Sequence, residues 1–226
     1  MHAYDLQAHQ VINYQLPRGS SLDLESDILV WQDGGGIYGK NLSTGQPFTV
    51  TTQGGSQPKL AGEWVVYVTR SNELAESLAA DLHIFNMRTG ETRLVGPVSN
   101  QVNGGGYAVE NDILAWVKIL HTTNSPSLRH ELHIYSLATG QDRRVDVSND
   151  DYRASLHLSD NLLIYLQKGW QAIDLQRDQK FDIFPPSIGW ESLDTPDLFS
   201  NRLVWTETDK SSGVIRLYIA PVNRGQ

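Results

Sequence analysis

The sequence contains no cysteine among its 226 residues. Disulfide bonds, thiolate metal sites and a cysteine nucleophile are therefore excluded. Basic residues are also in the minority, because 18 Lys and Arg stand against 26 Asp and Glu, for a formal net charge of −8. Since nucleic-acid binding depends on Lys and Arg that displace phosphate counterions, we expect no nucleic-acid partner.

Long apolar runs are missing as well. No stretch approaches the ~20 consecutive apolar residues of a membrane-spanning helix, so we expect no membrane insertion. The chain begins with MHAYD, which is not a basic segment followed by an apolar one, and we expect no signal peptide in it. What the sequence does have is 6 Trp, 9 Tyr and many β-branched residues, which favour strands.

A short pattern occurs five times along the chain. In each copy, two or three small or polar residues precede an apolar run that ends in an aromatic residue. Successive aromatic residues are 36, 49, 49 and 40 positions apart, and an aliphatic residue precedes each by seven positions. Because they share one repeat position, we interpret them as packing between repeats. They are Trp31, Tyr67, Trp116, Tyr165 and Trp205.

A second pattern follows the first in each unit. It is an apolar segment, a turn containing Thr-Gly and then a polar segment, with clear copies of the turn at 42–45, 87–90 and 137–140. Degenerate copies occur at 175–178 and 222–225. Gly or Asp at the fourth place suits a turn residue with positive φ.

The two patterns together define a unit of four short strands, A to D. Strand A carries the aliphatic residue, such as Leu24, and strand B is the apolar run that ends in the aromatic residue. Strand C leads into the Thr-Gly turn, and strand D follows it. A nearly continuous apolar run is typical of a strand packed on both faces. Four-stranded units repeated every ~40–45 residues predict an all-β fold, the β-propeller.

The number of units predicts how the ring closes. The chain has five A–B pairs and five D strands, one of which lies at 11–14 near the N-terminus. We predict a single domain, residues 1–226, of five four-stranded blades, in which this N-terminal strand completes the last blade and removes its exposed edge. A fragment of a larger ring, or an excised domain of a larger protein, is the alternative.

The repeats resemble the TolB-type β-propeller repeats of bacterial envelope and secreted proteins. The resemblance lies in the segment 37–45, which matches the pattern Ile-Tyr-x-x-x-Leu-x-Thr-Gly, and in the segment 132–140, which has Leu132 and His133 at the first two places and matches the rest. It covers nearly the whole chain and implies an extracellular or cell-envelope location. The family's metal-binding hairpin is not met, because the first unit offers only Asp33-Gly34-Gly35-Gly36. We therefore expect no metal and no cofactor.

Function in this fold usually lies on the face built by the B–C and D–A loops. The residues that we predict to bind a ligand there are Trp190, Tyr152, Arg153 and Asp151. Trp190 follows two prolines in its loop and offers a large, flat apolar surface of the kind that dominates recognition. The others add hydrogen-bonding groups. We expect the partner to be a carbohydrate or a protein, bound by a monomer.

Catalytic patterns are few. Glycosidases use carboxylates at set separations, and the inner-strand candidates are Asp23, Asp197 and Glu110. Asp23 and Asp197 hold the same repeat position, so inheritance within the repeat explains them equally well. We therefore expect a non-catalytic binding module. A glycoside hydrolase or lyase that uses these carboxylates and a structural spacer domain are the two alternatives.

Overall fold

A computed structural model of the chain shows only β-strands as regular elements in its described part. No helix in that part is long and apolar enough to cross a membrane. The all-β prediction is therefore confirmed. The described residues are 2–5, 9–13, 21–70, 79–99, 106–120, 129–148, 156–167, 169–182, 197–199, 202–208 and 215–221.

The strands are short and are joined mostly by tight turns. Their bounds, in chain order, are β1 (His2–Asp5), β2 (Gln10–Asn13), β3 (Leu22–Glu25), β4 (Ile28–Asp33), β5 (Gly36–Asn41), β6 (Pro47–Thr51), β7 (Gly55–Ala61), β8 (Trp64–Arg70), β9 (Ala79–Asn86), β10 (Thr92–Ser99), β11 (Tyr107–Glu110), β12 (Ile113–Leu120), β13 (Arg129–Ser136), β14 (Asp142–Ser148), β15 (His157–Ser159), β16 (Leu162–Gln167), β17 (Gly169–Asp174), β18 (Gln179–Asp182), β19 (Asp197–Phe199), β20 (Arg202–Thr208) and β21 (Ile215–Pro221).

Five antiparallel sheets, which we call blades 1 to 5, follow one another from β3 onward. Blades 1 to 4 each have four strands in chain order, and blade 5 has three described strands, β19 to β21. Neighbouring blades contact through their first strands: β3 lies beside β7, β7 beside β11, β11 beside β15, and β15 beside β19. This arrangement is the radial stacking of a β-propeller, with strand A of each blade innermost.

The two sequence repeats contact each other within a blade. In four blades, the backbone N–H of the first residue of the Thr-Gly turn donates to a carbonyl oxygen of the A–B turn, over 2.7–2.9 Å. The hydrogen bond therefore joins the two repeated motifs, which explains why they occur together. The donor and acceptor residues are Leu42 and Asp27, Met87 and Glu63, Leu137 and Asp112, and Leu175 and Asn161.

The glycine of the Thr-Gly turn has the positive φ that the sequence predicts. Gly45, Gly90 and Gly140 have φ of +75°, +74° and +73°. Each donates its N–H to the carbonyl oxygen four residues earlier, as from Gly90 to Asn86 over 2.8 Å. In blade 4 the same position is Asp178, with φ of +55°. An L-residue pays a steric cost in this region that glycine avoids.

Replacing Gly90 by Ala is expected to lower the free energy of unfolding by about 1 kcal/mol. A Cβ at Gly90 would meet nothing within 4 Å, so backbone strain alone would cause the loss. Urea denaturation measures it. The reciprocal variant is Asp178→Gly at the same turn position, which relieves strain but also removes an exposed ion pair with Arg143 at 2.9 Å. Because exposed pairs contribute little, its stability should be equal to that of wild type or higher. An unchanged unfolding midpoint in Gly90→Ala would contradict the argument.

The repeated aromatic residues pack mainly between blades, as predicted. Tyr67, Trp116 and Tyr165 are 3%, 2% and 0% exposed. Trp31 and Trp205 differ, because they are only half-buried. The three buried aromatic residues pack against the preceding blade, and before blade 1, which carries Trp31, no four-stranded blade is described. Trp205 packs against the apolar cluster of blade 4 and is covered by it only in part.

The N-terminal strand pairs differently from the expected closure. Strand β2 forms a hairpin with β1, and no described pairing joins β2 to β21. A hairpin closes only a short loop, so its entropic cost is small compared with pairing across the whole chain. Closure of a five-bladed ring and the single domain over residues 1–226 therefore stay predictions.

Candidate functional site

An open cleft of about 360 Å³ lies between blades 1 and 2. It is built by the B–C turn of blade 1, the D–A link that follows, and the ends of strands β8 and β9. The cleft thus lies between a B–C turn and a D–A link, the kinds of connection in which the sequence predicts function. The polar side chains that line it are Gln32, Ser56, Thr69 and Arg70.

Glycines allow the backbone to form this cleft. Gly35 and Gly54 line it with φ of +85° and +69°, which L-residues rarely adopt. The N–H of Gly55 donates to the carbonyl oxygen of Gly35 over 2.8 Å and ties the link to the turn. A Cβ at Gly55 would lie 2.6 Å from Thr51 Cγ2. A larger residue would therefore require the side chains of Thr51 and Ile37 to shift.

Arg70 is the charged residue of the described cleft lining. It is the last residue of β8 and is exposed. Within the described part of the chain its guanidinium forms no ion pair, whereas Arg88 at the other end of the same blade pairs with Glu63 at 3.0 Å. The guanidinium of Arg70 therefore keeps its five N–H donors available to a ligand.

A histidine behind the cleft orients the Thr69 hydroxyl. Thr69 Oγ1 lies 3.0 Å from His83 Nε2, and the imidazole stacks on Tyr67 with ring centroids 5.2 Å apart. Burial lowers the pKa of His83, although the charge of Asp81 opposes this, so the ring is neutral at pH 7. His83 Nδ1 is buried and has no hydrogen-bond partner among the described residues.

A neutral imidazole carries one N–H, and a buried N–H without a partner is rarer than a buried acceptor without one. We therefore assign the proton to Nε2, which donates to Thr69 Oγ1. The hydrogen of the Thr69 hydroxyl is then available to donate to a ligand.

A second polar group lies on the innermost strands and joins three blades. Lys59 of β7 donates from Nζ to the carbonyl oxygen of Tyr107 on β11 over 3.3 Å and lies 5.2 Å from the centroid of that ring. Asp23 of β3 accepts a hydrogen bond of 2.7 Å from the backbone N–H of Leu60. Burial lowers the pKa of Lys59, and the charge of Asp23 offsets this only in part.

Replacing Lys59 by Met is expected to flatten the rise of stability with pH. Because the folded-state pKa of Lys59 lies below its ordinary value of 10.5, the unfolded chain binds this proton more readily between the two values. The free energy of unfolding should rise with pH through that window and fall as pH decreases through the folded-state pKa.

Chemical denaturation at pH 7 and at about pH 9, roughly one unit below the ordinary tyrosine pKa, measures the difference. Lys40→Met, on β5, is the control for the loss of a positive charge. An equal rise with pH in wild type and Lys59→Met would contradict the expectation.

Carboxylates at the ends of inner strands bind the next blade. Glu25 accepts a hydrogen bond of 2.9 Å from the backbone N–H of Gly62. Glu110, at the same repeat position in blade 3, accepts hydrogen bonds from the Asp160 backbone and the Ser159 side chain. Burial raises the pKa of Glu110, and these hydrogen bonds oppose the shift. Both carboxylates thus hold the A–B turn of the following blade.

The three candidate catalytic carboxylates lie on different blades. Asp23 is on β3, Glu110 on β11 and Asp197 on β19. The hydrogen bonds of Asp23 and Glu110 to the next blade give both a structural role. A catalytic role for the three stays a hypothesis.

The predicted binding residues Trp190, Tyr152, Arg153 and Asp151 lie outside the described residues, so that site stays a prediction. The cleft between blades 1 and 2 was not predicted. Two runs of glycine, at 34–36 and 54–55, were its signal in the sequence. In the described ranges, no three His, Asp or Glu side chains are grouped so as to hold a metal ion.

Comparison with known proteins identifies the fold. No protein-family profile and no curated protein matches the sequence, but solved structures do. An oligogalacturonate lyase in complex with manganese is similar over 99% of this chain and 71% of the lyase chain, with a TM-score of 0.62 and 12% sequence identity. The acylaminoacyl peptidase of Pyrococcus horikoshii is similar over 99% of this chain and 41% of the peptidase chain, with a TM-score of 0.65 and 8% sequence identity. Dipeptidyl peptidase 4 of Porphyromonas gingivalis is similar over 97% of this chain and 40% of the peptidase chain, with a TM-score of 0.61 and 11% sequence identity.

These similarities, together with the stacked antiparallel blades, define the chain as a β-propeller protein. Identities of 8–12% show the fold alone. The chain spans about two fifths of the length of either peptidase. The TolB-type relationship has no family match to support it and is kept as a proposal.

Proposed function

We propose that this protein is a non-catalytic β-propeller binding module whose ligand, a carbohydrate or a protein partner, docks on the face that carries the cleft. The open cleft between blades 1 and 2 is the observation that carries the proposal. Its volume of about 360 Å³ is within the ~300–1,000 Å³ range of small-molecule sites. The TolB-like repeats support a bacterial envelope or secreted protein as the setting.

The polar groups of the cleft suit recognition rather than covalent chemistry. A nucleophilic serine needs a base within hydrogen-bond reach. The hydroxyl of Ser56 instead donates to the carbonyl oxygen of Val68, over 3.4 Å. Thr69 is paired with His83, but with the imidazole proton on Nε2 the ring donates to the hydroxyl and does not act on it as a base. The described lining therefore offers hydrogen-bond donors and acceptors without an activated nucleophile.

The enzyme alternative depends on channel carboxylates, and their contacts favour the binding module. Glycoside hydrolysis needs an acid and a second carboxylate on either side of the scissile bond. Asp23 and Glu110 each accept backbone hydrogen bonds from the next blade. Loss of these bonds would loosen the contact between blades, so a structural role is sufficient to account for both.

A panel of neutral and acidic polysaccharides tests the proposal. Binding is measured on immobilised glycans, and turnover is measured as released reducing ends and as absorbance of unsaturated products. We expect binding without turnover. Turnover that is abolished by Asp23→Asn or Glu110→Gln, in variants with an unchanged circular dichroism spectrum, would show that the protein is an enzyme.

A further inference from the structure

We propose that the cleft between blades 1 and 2 binds the carboxylate of an acidic sugar, a hexuronate, with Arg70 as the contact to the anion. This inference rests on the proposed binding function and names the ligand class of the same site. Three features carry it: the charge of the cleft, its hydrogen-bond donors and its glycine-lined floor.

The charge of the cleft is opposite to that of the protein. The chain has a net charge of −8, yet the charged residue of the described lining is Arg70. Arg70 lies opposite Ala80 in the strand pairing, so its cross-strand neighbour is small and uncharged. Asp81, opposite Thr69, acts instead on His83. A guanidinium that forms no described ion pair fits a carboxylate with two parallel hydrogen bonds.

The donors beside Arg70 match the remaining groups of such a ligand. The Thr69 hydroxyl has a hydrogen to donate, because His83 Nε2 already donates to its oxygen. Gln32 adds an amide with two donors and one acceptor. A uronate presents one carboxylate together with several hydroxyls. The carboxylate would pair with the guanidinium, and the hydroxyls would form hydrogen bonds with the Thr69 hydroxyl and the Gln32 amide. An acidic peptide side chain would use the guanidinium and leave the other polar groups unmatched.

The floor of the cleft leaves room for a sugar ring. Gly35 and Gly54 have no side chain, and a Cβ at Gly54 would lie only 3.9 Å from Thr69 Cβ. Their backbone is therefore not covered by side chains of its own, and at Gly54 it lies close to Thr69. The cleft of about 360 Å³ is at the low end of small-molecule sites, which suits a ligand of one or two rings.

Titration of the whole chain with matched sugars tests the inference. The probes are D-glucuronate and D-galacturonate, each compared with its neutral parent, D-glucose or D-galactose, by ligand-observed NMR. We expect at least one acid to bind about tenfold more tightly than its parent. Arg70→Gln should remove that preference, and Arg70→Lys should keep only part of it because the paired hydrogen bonds are lost.

Two further variants separate recognition from folding. Arg88→Gln, at the opposite end of blade 2, is the matched control and should keep the preference for the acid. Thr69→Val should weaken binding of the acid by a few-fold. Arg70 is exposed, so the thermal midpoint of Arg70→Gln should equal that of wild type.

Three results would overturn the inference: equal binding of acid and neutral parent, an unchanged preference in Arg70→Gln, or equally tight binding of N-acetylglutamate. Each leaves the proposed binding module in place if neutral glycans or a protein still bind the face. Conversely, turnover of a polysaccharide would overturn the non-catalytic module while the preference for the uronate stayed measurable.

Discussion

Replacement of Trp116 by Ala is expected to lower the free energy of unfolding by about 3–5 kcal/mol, as large truncations in a core do. Trp116 is 2% exposed and packs in the cluster shared by blades 2 and 3, which includes Val66 and Leu82. Its ring also lies 4.9 Å from that of His133, between centroids. Its removal would leave a cavity between two blades, and urea denaturation measures the loss.

Two variants make this prediction specific. Trp31→Ala removes the same repeat residue from blade 1, where it is half-buried, and should cost clearly less. Trp116→Phe keeps most of the ring packing and removes Nε1, a buried donor for which the described residues offer no partner, so it should cost less than about 1.5 kcal/mol. Equal losses for Trp31→Ala and Trp116→Ala would contradict the assignment of Trp116 to an inter-blade core.

Replacement of Tyr107 by Phe is expected to lower the free energy of unfolding by about 1–3 kcal/mol, because it leaves a buried carbonyl without its donor. Tyr107 is 1% exposed, and its hydroxyl donates to the carbonyl oxygen of Gln57, with the Val66 oxygen 3.4 Å away. Gln57 has φ of +53° in a bulge of β7. The hydroxyl thus holds an unusual backbone conformation of the neighbouring blade.

The alkaline pH dependence gives a second measurement for Tyr107. Burial raises the pKa of its phenol far above the ordinary value of 10.0. The folded chain therefore holds this proton more tightly than the unfolded chain, and stability is lost as the pH rises above 10. Tyr107→Phe should lose less stability over that range. Tyr38→Phe is the control, because this tyrosine is half-buried and its hydroxyl has no hydrogen bond to a described residue. Its free energy of unfolding should match that of wild type both below and above pH 10.

The strand units could be predicted because they depend on local pattern. An apolar run that ends in an aromatic residue, and a Thr-Gly turn, each occupy fewer than about ten consecutive residues. The positive φ of Gly45 and Gly90 follows from the same local chemistry, since glycine alone adopts it without steric cost. Propeller architecture then follows from repetition, because each unit needs a neighbour on which to bury its apolar face.

The candidate site was beyond the local pattern. The cleft joins Gly35 of one turn, Gly54 of a link and Arg70 at the end of a strand in the next blade, and their convergence depends on how two blades pack. The roles of Asp23 and Glu110 were equally hidden. Their hydrogen bonds go to backbone groups 37 and about 50 positions away in sequence. Because every residue type carries the same backbone groups, the sequence does not show which backbone group a distant carboxylate binds.

By itself, the sequence determined the class of strand, the repeated turns and the aromatic packing positions of this protein. Each depends on residues that are close in the chain, where periodicity and backbone preference act directly. Only the tertiary structure decided which repeats are fully buried, as the contrast between Trp116 and Trp31 shows. It also decided that an arginine and a histidine-bound threonine meet at a glycine-lined cleft. The physical reason is that burial, ion pairing and hydrogen bonding between blades depend on which distant surfaces come into contact.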